Sequence, residues 1–215
     1  MYGLRYLVFC SMCILSSLSL AFGAQPRTPR EAIGEGVHVR VHAYYDSAFA
    51  RNKSKEELTK HFGNIFQTVQ GEFFKRFINV TFEVKESEQK ESLEVYDNVT
   101  EEVNGNATLK NLKEEAEKEV PESYNSIYYF FTGNDIFTNK TMQSDGLYTP
   151  RTFCTTNGTA AVLQSMARSE FWMTPFKLTS LMFGSTRSPP RDEDYPKMNE
   201  TFRKCTHSPT REMLH

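Results

Sequence analysis

The feature that most constrains the fold is an alternation of strand-like and helix-like segments. Apolar and polar residues alternate from Val37 to Tyr45 and again from Ile78 to Val84, which predicts two strands. A continuous apolar and aromatic run over Ser126–Phe131 predicts a third, fully buried strand. Because helical patterns separate these strands, we expect an α/β domain with a mixed, mostly parallel sheet and packed helices.

The helix between the first two strands begins at a capping box, with Ser54 as N-cap and Glu57 three residues later. It is predicted to run to about Arg76. Its apolar residues recur at helical spacing: Leu58, Phe62, Ile65, Phe66, Val69, Phe73 and Phe77. A core-facing helix shows a stripe of this width, so we interpret it as core rather than as a partner-binding face. Further along, Asn98–Thr108 is predicted to be a loop and Leu109–Val120 an exposed helix.

The N-terminus has the pattern of a secretory signal peptide. Arg5 precedes an apolar stretch from Tyr6 to Leu20, and small residues flank a cleavage position after Gly23. The alternative, a membrane anchor, is disfavoured because the apolar run is short for a span. We therefore predict a signal peptide over residues 1–23, a flexible lead-in over 24–36 and a single domain over 37–215, in a secreted, extracellular protein that is not embedded in a membrane.

Cysteine usage agrees with secretion. Cys10 and Cys13 fall within the predicted signal peptide, which leaves Cys154 and Cys205 in the mature chain. A pair of cysteines in a secreted protein most simply forms one disulfide, and two free thiols are the alternative. A disulfide closing a loop of this length stabilises a protein by about 4 kcal/mol in the chain-entropy model.

Seven N-x-[ST] sequons predict a heavily glycosylated protein with most sugars in loops or on exposed strand faces. The acceptors are Asn52, Asn79, Asn98, Asn106, Asn139, Asn157 and Asn199. The formal net charge of −2 gives no indication of nucleic-acid binding.

Histidines on the first strand are the first candidates for metal ligands. His38 and His42 share a face of the predicted strand, but four residues of strand separate them by roughly 13 Å. One zinc ion cannot bridge that distance, so we predict no metal site there.

Three blocks of the second half resemble the reprolysin-like metzincin proteases, in the same order. Tyr128–Asp135 resembles the apolar strand that ends in Thr-Gly and an acidic residue. Gly146–Leu163 resembles the strand bordering the substrate groove, with its cysteine at Cys154. Phe176–Ser185 resembles the zinc helix, and Cys205 resembles the cysteine that closes the domain. The resemblance implies a metzincin-like (zincin) fold and supports Cys154–Cys205 as a disulfide.

The resemblance also implies a zinc site without its chemical groups. In the family the helix carries H-E-x-x-H-x-x-G, with a third histidine three residues after the glycine. Taking Gly184 as that glycine puts Lys177 and Leu181 at the first two histidine positions, Leu178 at the glutamate and Arg187 at the third histidine. None of these side chains can bind zinc or act as the base, so the expectation is a pseudoenzyme with no cofactor.

Three further expectations follow from the resemblance. Met198 is a candidate for the methionine of the family's Met-turn. A strand near Ala160 could present an edge to an extended peptide, while Leu178, Leu181 and Met182 are expected to fill the former metal site.

The chain is also similar to the 28 kDa metastriate family of tick salivary proteins, which are secreted, glycosylated and metzincin-like. This similarity implies a salivary protein that acts on the host, and our main hypothesis is a noncatalytic binder of a host protein or peptide. The alternatives are an active zinc metallopeptidase whose motif lies in another register, and a small-ligand carrier that uses the aromatic interior as a pocket.

Overall fold

The structure is a computed structural model that describes residues 31–97, 102–118, 124–139, 142–165 and 171–206. The predicted signal peptide, residues 1–23, lies outside the described residues, as does Asn98. All described residues except Glu31 belong to one unit, Ala32–His215. In the part of the chain that the structure describes, no helix is both long enough and apolar enough to cross a bilayer.

Eight strands and five helices make up the described fold. The strands are β1 (Ile33–Tyr45), β2 (Ile78–Gln89), β3 (Val103–Asn104), β4 (Ser126–Thr132), β5 (Ile136–Asn139), β6 (Met142–Gln143), β7 (Gly146–Tyr148) and β8 (Ala160–Gln164). The helices are α1 (Ser47–Ala50), α2 (Lys55–Phe74), α3 (Gly105–Lys118), α4 (Met173–Met182) and α5 (Tyr195–Thr206). Short 3-10 turns lie at Glu91–Leu93 and Asp192–Asp194.

A five-stranded sheet in the order β2-β1-β4-β8-β7 forms the centre of the domain. Its strands pair in parallel except β7, which runs antiparallel to β8 at one edge. A smaller sheet contains β3, β5 and β6. The prediction of an α/β fold with a mixed, mostly parallel sheet and packed helices is confirmed.

Helices cover both faces of the large sheet. Successive side chains of a strand point to opposite faces, so each strand contributes to two cores. One face packs with α2, α4 and α5 to form what we call the main core. The other packs with α3 to form a second, smaller core. In β4, Tyr129 and Phe131 belong to the main core, whereas Tyr128 and Phe130 belong to the second. This alternation explains why the strand is apolar throughout.

The capping box of α2 is present: Glu57 N donates to Ser54 Oγ, and Ser54 N donates to Glu57 Oε2. Six of the seven predicted stripe residues are buried in the main core. Phe77 is the exception, since it follows the helix with a positive φ of 59° and is 50% exposed.

Three predicted boundaries were wrong. The lead-in predicted over 24–36 overlaps β1, because Ile33 already pairs with Ile78 and a bulge separates it from Val37. β2 continues to Gln89, since pairing with β1 supplies the backbone hydrogen bonds that its polar sequence did not indicate. The predicted loop over 98–108 contains β3 and the first turn of α3.

Candidate functional site

Helix α4 ends as the resemblance implies, at a glycine. Gly184 follows the helix with a φ of +102°, a conformation that glycine adopts without steric cost. Pro175 lies in the first turn, where no intrahelical N–H bond is lost. The predicted register of the zinc helix is therefore compatible with the local backbone.

The four positions of the degenerate motif have different environments. Lys177 is exposed, and Leu181, one turn later on the same face, is half-buried. Leu178 is buried, with 2% of its surface exposed. Arg187 is exposed, and its Nη2 lies 2.7 Å from Glu193 Oε1.

These residues do not fit a zinc ion. Zinc in proteins is held by imidazole nitrogens, thiolates or carboxylates, and neither two leucines nor two cations supply such a donor. Within the described ranges, no group of three or more His, Cys, Asp or Glu side chains is placed to hold a metal ion. We therefore assign no zinc chemistry to α4.

Leu178 fills the space between α4 and the sheet edge. A Cβ placed on Gly146 of β7 would lie 3.0 Å from Leu178 Cδ1 and 2.9 Å from the Val162 carbonyl oxygen. Only glycine leaves room for the leucine at this distance. Met182 is also fully buried, whereas Leu181, which was expected to fill the same space, is only half-buried. The contact with Gly146 was not predictable from the sequence, because it depends on how α4 packs against the sheet.

The strand that can present an edge is β7, not the strand near Ala160. β8 lies between β4 and β7, so both of its sides are paired. In the antiparallel pair, Thr149 N donates to Ala160 O at 2.9 Å and Gln164 N donates to Asp145 O at 3.2 Å. Because bonded residues alternate along an antiparallel strand, the backbone groups of Gly146 and Tyr148 point away from β8.

The hydroxyl of Ser144 occupies part of that outer edge. Ser144 Oγ donates to the Gly146 carbonyl oxygen at 3.0 Å and accepts from Gly146 N at 3.3 Å. Both outward groups of Gly146 are thus bonded within the chain. Among the described residues, none forms a hydrogen bond with the outward N–H or C=O of Tyr148, so these groups can pair with another strand.

Polar and aromatic contacts hold α4 against the main core. The hydroxyls of Tyr129 and Thr179 are 2.6 Å apart, and Thr179 Oγ1 also donates to Pro175 O. Phe176 packs against Phe73 with ring centroids 4.8 Å apart. Burial raises the pKa of the Tyr129 hydroxyl, so it remains protonated at neutral pH.

The segment after Gly184 is organised by the carboxylate of Asp194. It accepts hydrogen bonds from Thr186 N at 2.8 Å, Thr186 Oγ1 at 2.7 Å and Arg191 N at 2.9 Å. Burial raises the pKa of this carboxyl, but the hydrogen bonds from Arg191 and Thr186 outweigh burial and lower it to about 2.

Met198 is not in a turn. It lies within α5 and is fully buried in the main core, so its identification with the Met-turn methionine was wrong. Its sequence position gave no means of distinguishing a buried helical methionine from a turn, because methionine is common in both.

Cys154 and Cys205 form the predicted disulfide, with Cα atoms 4.9 Å apart. The bond links the loop before β8 to α5, and the alternative of two free thiols is excluded. Cys154 has a positive φ of 55° in this loop.

The two strand histidines lie on the opposite face of β1 from the main core and make separate contacts. His38 Nδ1 is 2.7 Å from Thr81 Oγ1, and His42 Nδ1 is 3.2 Å from Glu86 Oε2. His42 also stacks on Tyr128, with ring centroids 4.3 Å apart.

Five of the sequon asparagines have described surroundings. Asn52 and Asn157 are exposed outside helices and strands, and Asn79 is half-buried on β2, an edge strand. Asn106 and Asn199 lie in helices α3 and α5, outside the loops and strand faces that were expected for most sites. Asn139 ends β5, and Asn98 lies outside the described residues. Glycosylation itself stays a prediction.

No protein-family profile matches this sequence, and no curated protein sequence is similar to it. The solved structures that are similar in fold include a metalloproteinase, an archaemetzincin and a zinc-dependent peptidase. Metalloproteinase-II from Bacteroides fragilis aligns with a TM-score of 0.47 and 12% identity over 80% of this chain and 55% of that one. This chain therefore spans about half the length of that enzyme.

The alignments with the other two proteins cover almost the whole of their chains. Archaemetzincin from Methanopyrus kandleri aligns with a TM-score of 0.44 and 14% identity, over 84% of this chain and 98% of that one. A zinc-dependent peptidase from Methanocorpusculum labreanum aligns with a TM-score of 0.47 and 11% identity, over 76% of this chain and 92% of that one. We transfer no residue role from these three proteins.

Proposed function

We propose that this chain is a secreted, noncatalytic relative of the metzincin peptidases that binds a protein or peptide of the host. One observation carries the proposal. The segment ending at Gly184 forms a helix beside the sheet edge, yet Lys177, Leu178, Leu181 and Arg187 stand where the zinc ligands and the base would be. Membership of the tick salivary family, and action in saliva, rest on the sequence resemblance alone.

The loss of zinc ligands removes the chemistry of peptide hydrolysis at this helix. A zinc peptidase needs the metal to polarise the scissile carbonyl and to activate water, and a carboxylate to take the proton. Leu178 offers no proton acceptor, and its side chain packs against Gly146. The residues of α4 can pack and bind, but they cannot perform that reaction.

The open edge of β7 supports binding of an extended peptide. A peptide strand that pairs with an exposed sheet edge gains main-chain hydrogen bonds, and flanking side chains give specificity. Tyr148 directs its N–H and C=O outward for such pairing. On α4, Lys177 is exposed and Leu181 is half-buried one turn later, so the matching peptide carries an acidic and an apolar side chain.

Ser144 limits this edge. Its hydroxyl bonds both outward groups of Gly146, and a peptide that pairs there must displace it. Replacing Ser144 by alanine is therefore expected to tighten peptide binding, whereas a partner that docks elsewhere would be unaffected.

Metal analysis of the purified, disulfide-intact protein tests the loss of zinc chemistry. We expect far less than one zinc ion per chain, and stoichiometric zinc, or proteolysis that a chelator abolishes, would overturn the proposal in favour of an active peptidase. A variant with Lys177→His, Leu178→Glu, Leu181→His and Arg187→His tests the register. It should gain zinc binding at one ion per chain.

Affinity capture from host plasma tests the binding surface. A captured protein is assigned to this surface only if Lys177→Glu weakens its affinity by about tenfold, or about 1.4 kcal/mol. The matched control is Lys60→Glu, which reverses an exposed charge on α2. Equal effects of the two substitutions would remove β7 and α4 from the proposed interface.

A further inference from the structure

Two buried polar atoms on neighbouring strands have no hydrogen-bond partner among the residues that the structure describes. Arg40 of β1 and Ser126 of β4 are paired in the parallel register. The Nε of Arg40 and the Oγ of Ser126 are both buried, and neither finds a partner within the described residues. Ser126 is 3% exposed, whereas Arg40 is half-buried.

Both side chains lie on the sheet face opposite α4. In β4, Ile127 points into the main core and Tyr128 into the second core, so Ser126 shares the face of Tyr128. Arg40 shares the face of His42, which stacks on Tyr128. The pair is therefore separated from the degenerate zinc helix by the thickness of the sheet.

The acidic residues nearest in register are engaged by other groups. Glu83 of β2 is the register partner of Arg40, but its Oε1 lies 2.6 Å from Lys85 Nζ. Glu86 accepts a hydrogen bond from the Tyr44 hydroxyl at 2.9 Å and lies 3.2 Å from His42 Nδ1. Within the described part of the chain, Arg40 forms no ion pair with a carboxylate.

This arrangement fits an oxyanion. Buried polar groups in folded proteins nearly always have partners, because an unsatisfied group loses its hydration without replacement. Two such donors side by side therefore point to a ligand that accepts from both. The guanidinium is a planar fork that matches carboxylate, sulfate and phosphate oxygens, and a serine hydroxyl can donate one further bond.

We propose that Arg40 and Ser126 bind an oxyanion group on the α3 side of the sheet, independently of the peptide site. Arg40 supplies the charge and the Nε–H donor, and Ser126 supplies a hydroxyl donor from the paired position on β4. His38 is exposed on the same strand face two residues before Arg40, so it lies at the margin. The oxyanion is either a free inorganic ion or the acidic group of a larger molecule such as a sulfated saccharide.

Titration of the full disulfide-intact protein with sodium sulfate, phosphate or acetate, followed by amide chemical shifts at constant ionic strength, tests the site. We expect saturable shifts at residues around Arg40 and Ser126. Arg40→Gln should weaken binding at least tenfold and Ser126→Ala several-fold, while Arg51→Gln, at an exposed arginine, should leave it unchanged. A sulfated disaccharide that binds more tightly than sulfate would identify the larger ligand, and equal affinity would identify the free ion.

Linear, non-saturating shifts in the wild-type protein would overturn the proposal, because a general salt effect or a bridging water gives no saturation. Equal affinity of Arg40→Gln and the wild type would also overturn it. Ser126→Ala keeps the test valid if Arg40→Gln does not fold. It removes a small hydroxyl that has no partner, so we expect it to fold with unchanged stability in anion-free buffer.

Discussion

The hydroxyl groups of Tyr129 and Thr179 lie 2.6 Å apart in the interior and join the central strand β4 to helix α4. Tyr129 belongs to the main core and is fully buried. Thr179 lies between Leu178 and Leu181, so this hydrogen bond joins the buried face of α4 to the sheet, together with the packing of Phe176, Leu178 and Met182 in the main core.

Tyr129→Phe is expected to destabilise the fold by about 1 kcal/mol, the usual net value of a buried hydrogen bond. The loss is moderate because Thr179 Oγ1 keeps its bond to Pro175 O. Urea unfolding at equilibrium measures it, and Tyr148→Phe at the half-buried sheet edge is the control. A loss no larger than in the control would show that the bond does not hold α4.

Gly146→Ala is expected to destabilise the protein by about 1–3 kcal/mol, because the new Cβ meets Leu178 Cδ1 and the Val162 carbonyl oxygen. Leu178→Ala alone should cost about 2–5 kcal/mol through loss of buried apolar contacts. In the double variant the smaller residue at 178 relieves part of the clash. The destabilisation of the double variant should therefore be smaller than the sum of the two single-variant values. Additive losses would show that the two residues are not in contact.

Glu94 is expected to make stability depend on pH near neutrality. Burial, with a smaller contribution from the nearby charge of Asp46, raises the pKa of its carboxyl from 4.5 to about 7, although hydrogen bonds from Tyr96 and Asn134 oppose the shift. The folded state therefore holds this proton more tightly than the unfolded chain. The stabilisation is fully present below pH 4.5 and is lost as the pH rises to about 7.

Glu94→Gln should abolish that pH dependence and stabilise the protein near pH 8. Between pH 5 and pH 8 the free energy of unfolding of the wild type should fall by about 1–2 kcal/mol. This is less than the full pKa shift would give, because the side chain is partly solvated. Unfolding curves at a series of pH values measure it. Glu56→Gln, at an exposed position in the first turn of α2, is the control. The control, which keeps Glu94, should lose stability over this range as the wild type does. A Glu94→Gln variant that loses as much stability between pH 5 and pH 8 as the control would contradict the assignment.

Replacement of Cys154 and Cys205 by alanine should lower the free energy of unfolding by about 4 kcal/mol in the chain-entropy model, given the 51-residue separation. Reversible denaturation of the wild type and the double variant measures the difference. Reduction of the wild-type protein should reproduce the loss, whereas reducing agent should leave the double variant unchanged.

The alternation of the longer strands with the longer helices followed directly from the sequence, whereas the short strands β3, β5 and β6 did not. The capping box at Ser54 and Glu57 marked the start of α2, and the apolar run at Ser126–Phe131 marked the buried strand. These features depend on residues that are close together in the chain, where side-chain spacing and capping chemistry act locally. The pairing of Cys154 with Cys205 also followed, since only two cysteines remain after the predicted cleavage.

The edge of the sheet and the roles of single side chains did not follow from the sequence. Ala160 and Gly146 both begin short strands, but only the strand order shows that β8 is internal and β7 is at the edge. Met198 could be read as a turn or as a helix residue until the packing of α5 placed it in the main core.

The sequence by itself determined the chemistry present at each position, including the two leucines, the lysine and the arginine at the positions that the resemblance assigns to the zinc site. The tertiary structure decided which of those side chains is buried and which residues become neighbours, such as Leu178 beside Gly146 and Arg40 beside Ser126. The physical reason is that the donors and acceptors of a side chain belong to its own covalent structure. Contacts between strands and helices depend instead on register and packing among residues far apart in the chain.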